Sequence, residues 1–333
     1  MSHCMRHRFV LGGFVRSCLE WSLALALMFC ATAVAVPAQV PATDRASNQE
    51  PASADAANAL DHARKLLDSD NLDGALSLAK KYLQKHPQSA DAHALMGLIL
   101  YRQHQPRLSM AEYLNASESA DLSAFDLRIF ALDCAAIPDL REAEKWLLRS
   151  LEKDDNSAAT WEALGHVRFS SQHYEASIES LDHALQLAPR TVSAESLIGL
   201  ANERLARLDL AESAYRTAVE WQVGRKEKDA VPFTGLGRIL LGNNQPEGAI
   251  PWLQQAAKIP PPSSEVHELL GLAYSKTAHD AEAAAELEAA IRLQPDSARL
   301  HLMLSRTYRS LGAKEKADVK LAQYTKLKGN GAQ

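Results

Sequence analysis

The sequence predicts an all-α protein, an α-solenoid of stacked antiparallel helix pairs, on the strength of its period and its composition. A block of residues recurs with a 34-residue period, clearest in His93-Ala94-Leu95-Met96-Gly97, Trp161-Glu162-Ala163-Leu164-Gly165 and His267-Glu268-Leu269-Leu270-Gly271. Ala and Leu are abundant, aromatic residues make up only 6% of the chain, and Gly and Pro fall at spaced positions, as in packed helices joined by short turns. A period of this length marks helix-turn-helix units, each of which buries its apolar face only against its neighbours. Such an array grows along one axis, so the 333 residues give no domain count.

The first 35 residues stand outside the period. Arg6, Arg8 and Arg16 precede an apolar run from Trp21 to Val36, and Ala33-Val34-Ala35 offers small residues to a signal peptidase, with a second possible cut after Ala38. Residues 1–35 are therefore expected to be a secretory signal, which makes the chain periplasmic or secreted. An uncleaved membrane anchor is the alternative, although the run is short for the ~30 Å of hydrocarbon it would have to cross. Lipidation at Cys30 is disfavoured by the bulky Phe29 before it. Removing the signal takes Cys4, Cys18 and Cys30 with it, so Cys134 is left without a disulfide partner. Residues 36–55 (VPAQVPATDRASNQEPASAD) are rich in Pro, Ala and Ser, lack helical periodicity and read as a flexible tether.

Aligned on the small residue that follows each first-helix apolar pair, the remainder divides into units at 56–89, 90–123, 124–157, 158–191, 192–225, 230–263, 264–297 and 298–328, with a tail at 329–333. Position 8 of the units holds Ala63, Gly97, Ala131, Gly165, Gly199, Gly237, Gly271 and Ser305. Position 20 holds Ala75, Ser109, Ala143, Ser177, Ala211, Ala249, Ala283 and Ala317. These two columns are expected to face each other and set a close crossing of the paired helices. Tyr113, Leu147, Leu181, Tyr215, Leu253, Leu287 and Leu321 share position 24, on the buried face of the second helix. Pro87, Pro189, Pro261 and Pro295 at position 32 end that helix because they bring no N–H, and Asp121 and Asp155 replace them in two units. Two departures stand out. The extra residues Lys226-Glu227-Lys228-Asp229 should form a protruding charged loop, and Pro251 should kink its helix. The Lys-rich last helix can turn its outer face to water, as the end of a solenoid requires.

In these columns residues 56–328 resemble the tetratricopeptide repeat family, whose consensus sets a large residue at position 4, Leu at 7, Gly or Ala at 8, an aromatic or apolar residue at 11, Ala at 20 and 27, and Pro at 32. The resemblance implies a right-handed superhelix, a non-enzymatic role in protein–protein interaction, and a concave face built from first-helix positions 2, 5, 9, 12 and 13. Here those positions supply Tyr101, Arg102, Phe125, Arg128, Glu162, His166, Phe169, Glu203, Arg204, Arg238, Arg299, Arg306 and Arg309, together with Glu268 and Lys276. Such a mixture of rings and charges suits an extended peptide or a partner helix. Members that grip a C-terminal carboxylate do so with Lys at 5 and Asn at 9, which this chain lacks, so that ligand is disfavoured. Arg299, Arg306 and Arg309 fall near one face of the last first helix and suit an acidic segment.

Other chemistries find little support. The formal charge is −5, and residues 1–35 carry a net +2, which leaves −7 on the rest; nucleic acid would need a basic stripe instead. The zinc-helix start at His267-Glu268 has Gly271 where the second ligand belongs. The acidic run Asp68 to Gly74 misplaces the glycine and the bidentate glutamate of a calcium loop, and reads as a turn. Gly235-Leu236-Gly237 lacks a third glycine for a nucleotide, Cys134 falls at a buried apolar position, and neither G-x-S-x-G nor a P-loop occurs. No catalytic residue, cofactor or metal is expected. His93, His267 and His301 share position 4 with Trp161 and are expected to pack.

The expected function is an exported, non-enzymatic scaffold that binds a peptide or helix of a partner protein in its concave groove, in bacterial envelope assembly. The alternative is a non-catalytic subunit of an envelope glycan- or peptidoglycan-modifying complex. Membrane contact is expected only through the N-terminal segment, if it stays uncleaved.

Overall fold

The computed structural model describes residues 54–330; the expected signal and all but the last two residues of the tether lie outside the described residues. The described secondary structure is helical throughout and falls into pairs: α1 (Ala54–Asp68) with α2 (Leu72–Lys85), α3 (Ala90–Arg102) with α4 (Pro106–Ser119), α5 (Ala124–Ala136) with α6 (Leu140–Lys153), and α7 (Ala158–Ser170) with α8 (Tyr174–Leu187). They continue as α9 (Val192–Arg204) with α10 (Leu208–Trp221), α11 (Val231–Gly242) with α12 (Pro246–Ala257), α13 (Ser264–Lys276) with α14 (Asp280–Leu293), and α15 (Ala298–Ser310) with α16 (Lys314–Asn330). The first pair belongs to one compact unit and α3–α16 form another. In the first unit, Ala63 and Leu67 of α1 and Ala75 and Ala79 of α2 are buried. In the second, each second helix packs on its own partner and on the first helix that follows, which makes an α-solenoid. No helix among the described residues is long and apolar enough to cross a membrane.

Local chemistry explains where the helices start. Ser89, Ser123 and Ser157 cap α3, α5 and α7, each hydroxyl accepting a first-turn N–H, and Asn71 and Asp139 do the same for α2 and α6. Pro106 and Pro246 open α4 and α12, where a missing N–H costs nothing.

The close crossing forms between the two expected columns, and a third column joins it. A Cβ on Gly97, Gly165, Gly199, Gly237 or Gly271 would meet Tyr113, Leu181, Tyr215, Leu253 or Leu287 at 2.4–2.8 Å. The space left by the small residue at position 8 is thus filled from position 24. Position 20 faces position 8 as expected, against its backbone: Ser109 and Ser177 donate to the carbonyls of Gly97 and Gly165 at 2.8 and 2.7 Å. In the last hairpin the bond is reversed, with Ser305 donating to the Ala317 carbonyl at 2.8 Å.

The turn within every described hairpin but that of α5 and α6 holds a feature the sequence conceals. Asp70, His104, Gln172, Ala206, Asn244, Ala278 and Gly312, all at position 15, take φ values of 57–74°. The N–H of the next residue closes the turn on the carbonyl five residues back, for example Arg207 on Asn202 at 2.9 Å. Only one of these left-handed residues is glycine, and a side chain in that region costs roughly 1–2 kcal/mol. Ala206→Gly is therefore expected to stabilise the protein by about 0.5–1 kcal/mol once the looser unfolded chain is counted, a gain that urea denaturation measures directly.

At the departures, residues 223–228 are exposed, as a charged loop should be. The loop is anchored at its ends: Arg225 donates to the Arg190 carbonyl at 3.2 Å, and Asp229 Oδ1 accepts from the Val231 N–H at 2.9 Å. Helix α12 runs on through Pro251. Helix α16 continues to Asn330, past the repeat limit at 328, and keeps Ala317 buried while Lys314, Glu315, Lys316 and Asp318 face solvent.

Candidate partner-binding face

First helices touch one another, α3 with α5, α5 with α7, α7 with α9, α9 with α11 and α11 with α13, and among the described residues no second helices pack on one another to this extent. Elements that meet lie on the shorter side of a curved stack, so the first helices form the inner face of the second unit. The residues at the expected positions belong to seven first helices, α3, α5, α7, α9, α11, α13 and α15, and they fall into two zones.

In the zone formed by α3, α5 and α7, rings and cations lie side by side. Phe125 is 45% exposed and carries the Arg128 guanidinium 5.2 Å above its ring. Tyr101 is half-buried, and burial, then the Asp133 carboxylate, raise its phenol while Arg128 opposes them. Burial in the concavity lowers His166, against the pull of Glu162, although the residue keeps an exposed surface. Phe169 meets Tyr174 edge-on at 5.4 Å, and Ser193 of α9 donates to Glu162. Arg102 is exposed.

In the zone formed by α9, α11 and α13 the charges answer one another. Arg238 bridges Glu203 of α9 and Glu265 of α13, the latter at 3.2 Å, and Glu203 also accepts the Tyr215 hydroxyl at 2.9 Å. Burial works against the Arg238 cation, but the two carboxylates outweigh it and raise its pKa. Arg299 pairs with Glu268 at 2.7 Å. Arg309 lies 3.9 Å from Asp318 of α16, while Arg204 and Arg306 are exposed. The three arginines expected to meet an acidic segment thus differ, since two already face carboxylates of the chain itself.

The tetratricopeptide repeat family matches residues 60–124, 162–228 and 268–323, more than half of the chain. The chain belongs to the tetratricopeptide repeat family. Among solved structures it is similar to a tetratricopeptide repeat protein from Parabacteroides merdae, with TM-score 0.58 and 14% identity over 76% of this chain and 98% of that one. The APC/C hetero-tetramer Cut9–Hcn1 is similar at TM-score 0.56 and 17% identity, over 85% and 55% of the two chains. Pseudomonas aeruginosa pilF is similar at TM-score 0.54 and 20% identity, over 64% and 95%. At these identities the likeness is one of fold. No curated protein matches the chain. Tetratricopeptide repeats build protein–protein interaction scaffolds, and this chain has that architecture.

Several tetratricopeptide repeat positions do more than pack. His93 and His267, both at position 4, bond Glu112 and Glu286 through Nδ1 at 2.6 Å, a spacing of 19 residues in each hairpin. His301 bonds the Pro295 carbonyl through Nε2 at 2.8 Å, and Trp161 stacks on His183 at 4.5 Å. The Cys134 thiol is buried and pushed up to about 12, chiefly by desolvation, so it is a poor nucleophile.

Asp133, next to Cys134, escaped the sequence reading. It is 1% exposed with Oδ2 lacking a partner, and burial lifts its carboxyl to about 6 against the opposing Ser109 hydroxyl. An unfolded aspartate titrates near about 3.9. Because the folded value is higher, the native state holds this proton more tightly, and the penalty present above about pH 6 fades as the pH falls toward the unfolded value. Asp133→Asn is therefore expected to stabilise the protein near neutral pH and to lose that advantage at about pH 4, read from urea midpoints at the two pH values.

Proposed function

We propose that this chain is an exported, non-enzymatic scaffold that holds a peptide or helix of a partner protein on the inner face of α3, α5 and α7, in the service of assembly in a bacterial envelope. The observation that carries the groove is the contrast between its two zones. Around Phe125 and Arg128 an open ring and cation remain for a ligand, whereas around Arg238 the charges are spent on one another. A partner segment offering a carboxylate beside an apolar side chain would meet both halves of the Phe125–Arg128 pair. Export is supported by the basic and apolar character of residues 1–35.

Cross-linking in the native host, followed by recovery of the wild-type chain and of a Phe125→Ala/Arg128→Glu variant, tests the groove. The variant should lose a partner that the wild type retains; equal recovery removes this face from the proposal. The mass of the mature N-terminus tests export separately, with loss of about the first 35 residues as the expected result.

A further inference from the structure

Three of the four residues that interrupt the 34-residue period, Glu227, Lys228 and Asp229, also line a cleft. Arg225, Lys228 and their loop neighbours, with the first turn of α9 and Gln222 at the end of α10, line a space of about 260 Å³. Gln222 is 1% exposed, and its Oε1 accepts the Asp229 N–H. A backbone N–H can only be met by the oxygen of a carboxamide, so the other end of the side chain is Nε2, a donor. That donor is enclosed and has no acceptor, a condition that costs about 1–3 kcal/mol in a protein interior.

The remaining groups around the cleft are mostly donors too. The Thr191 hydroxyl, at the N-cap of α9, turns away to the Ala188 carbonyl at 2.7 Å, so the first-turn N–H groups of this 13-residue helix have no side-chain cap. Arg225 spends Nη2 on the Arg190 carbonyl and keeps the rest of its fork, and the Lys228 side chain is exposed. Two carboxylates also border the space. Asp229 is committed through Oδ1 to the Val231 N–H at the start of α11, while Glu227 is exposed and competes with any incoming anion.

A surplus of donors, one of them buried without an acceptor, calls for a ligand made of acceptors. We infer that this cleft binds a small oxyanion, a carboxylate or phosphate group, held by Gln222 Nε2, the Arg225 guanidinium, the Lys228 ammonium and the N-terminus of α9. The positive end of a helix favours such a group, and the arginine fork matches its geometry. The site does not depend on the inner face of α3, α5 and α7 and stands whether or not a partner docks there.

The test uses the full chain labelled with nitrogen-15, following the amides of Ser193 and Ala194 as inorganic phosphate or sodium acetate replaces sodium chloride at constant ionic strength. Saturable shifts at these amides are expected with at least one of the two, and the one that binds more tightly tells a phosphoryl source from a carboxylate source. Arg225→Gln/Lys228→Gln should weaken the response at least about tenfold, because each cation supplies a charge-assisted bond. Glu227→Gln should strengthen it, and Gln222→Glu, which keeps the Asp229 bond but places a like charge on the floor, should abolish it. Should Gln222→Glu fail to fold, the exposed double variant still decides the matter. Shifts that fail to saturate with either anion, or an unchanged response in the double variant, overturn the inference.

Discussion

Cutting Tyr215 back to alanine is expected to cost roughly 3–5 kcal/mol, the range for a buried aromatic side chain. The ring of Tyr215 in α10 lies in a slot between two helices. A Cβ on Gly199 of α9 would stand 2.4 Å from it, and a Cβ on Gly235 of α11 only 2.2 Å. One ring therefore fills gaps in two successive hairpins, and its hydroxyl also holds Glu203. In a solenoid the stability of the whole depends on each interface between neighbours, so a lesion at this junction should uncouple the hairpins on either side. Urea denaturation of Tyr215→Ala should show an earlier transition that wild type lacks; a loss below about 1 kcal/mol would contradict the packing described. Gly235→Ala approaches the same slot from the other wall and should cost about 1–3 kcal/mol by overfilling it.

Arg238→Met carries the second large effect. It leaves Glu203 and Glu265 facing each other without their cation on a partly buried face, for which a loss of roughly 1–3 kcal/mol is expected near neutral pH, discounted for the solvent that reaches the pair. The pH dependence identifies the cause. Burial already raises the Glu265 carboxyl against the pull of Arg238, so without that cation the folded variant binds this proton more tightly still, and its deficit should shrink as the pH falls from about 7 toward the unfolded value of about 4.3. Adding Glu203→Gln and Glu265→Gln should restore much of the loss. A deficit that stays constant with pH, or a triple variant no more stable than Arg238→Met, would show that lost packing and not charge is responsible.

The repeat period made the architecture legible because close helix crossings leave few residues that fit: Gly97, Gly165, Gly199, Gly237 and Gly271 stand where a side chain would strike the facing helix. Small residues at position 8 and position 20 were rightly read as opposing each other, since the position-20 serines bond the position-8 carbonyls. The part of position 24 was harder to read: its side chains fill the space that the position-8 glycines leave. The Ser residues at position 34 were a readable signal, since a hydroxyl just ahead of a helical run caps it. The left-handed turn residues were not, because Ala206 and Ala278 hide a conformation that sequence associates with glycine. On the inner face, the positions implied by the family resemblance included Glu203, Arg238, Glu268 and Arg299, but nothing in the sequence showed that they pair or that Glu265 joins them. Arg238 joins residues 35 positions behind and 27 ahead, and such pairings emerge only when hairpins stack. Asp133 was missed for the opposite reason: a carboxylate among apolar residues reads as a surface position until its burial is known.

The one-sided contact between first helices also sets how the second unit yields to force. With the inner row touching and the outer row held only through its neighbours, a bending load opens or narrows the outer gaps before it parts any helix from its mate. The stack should then respond as a soft spring, storing strain across many small adjustments. Its curvature can change while each hairpin stays intact.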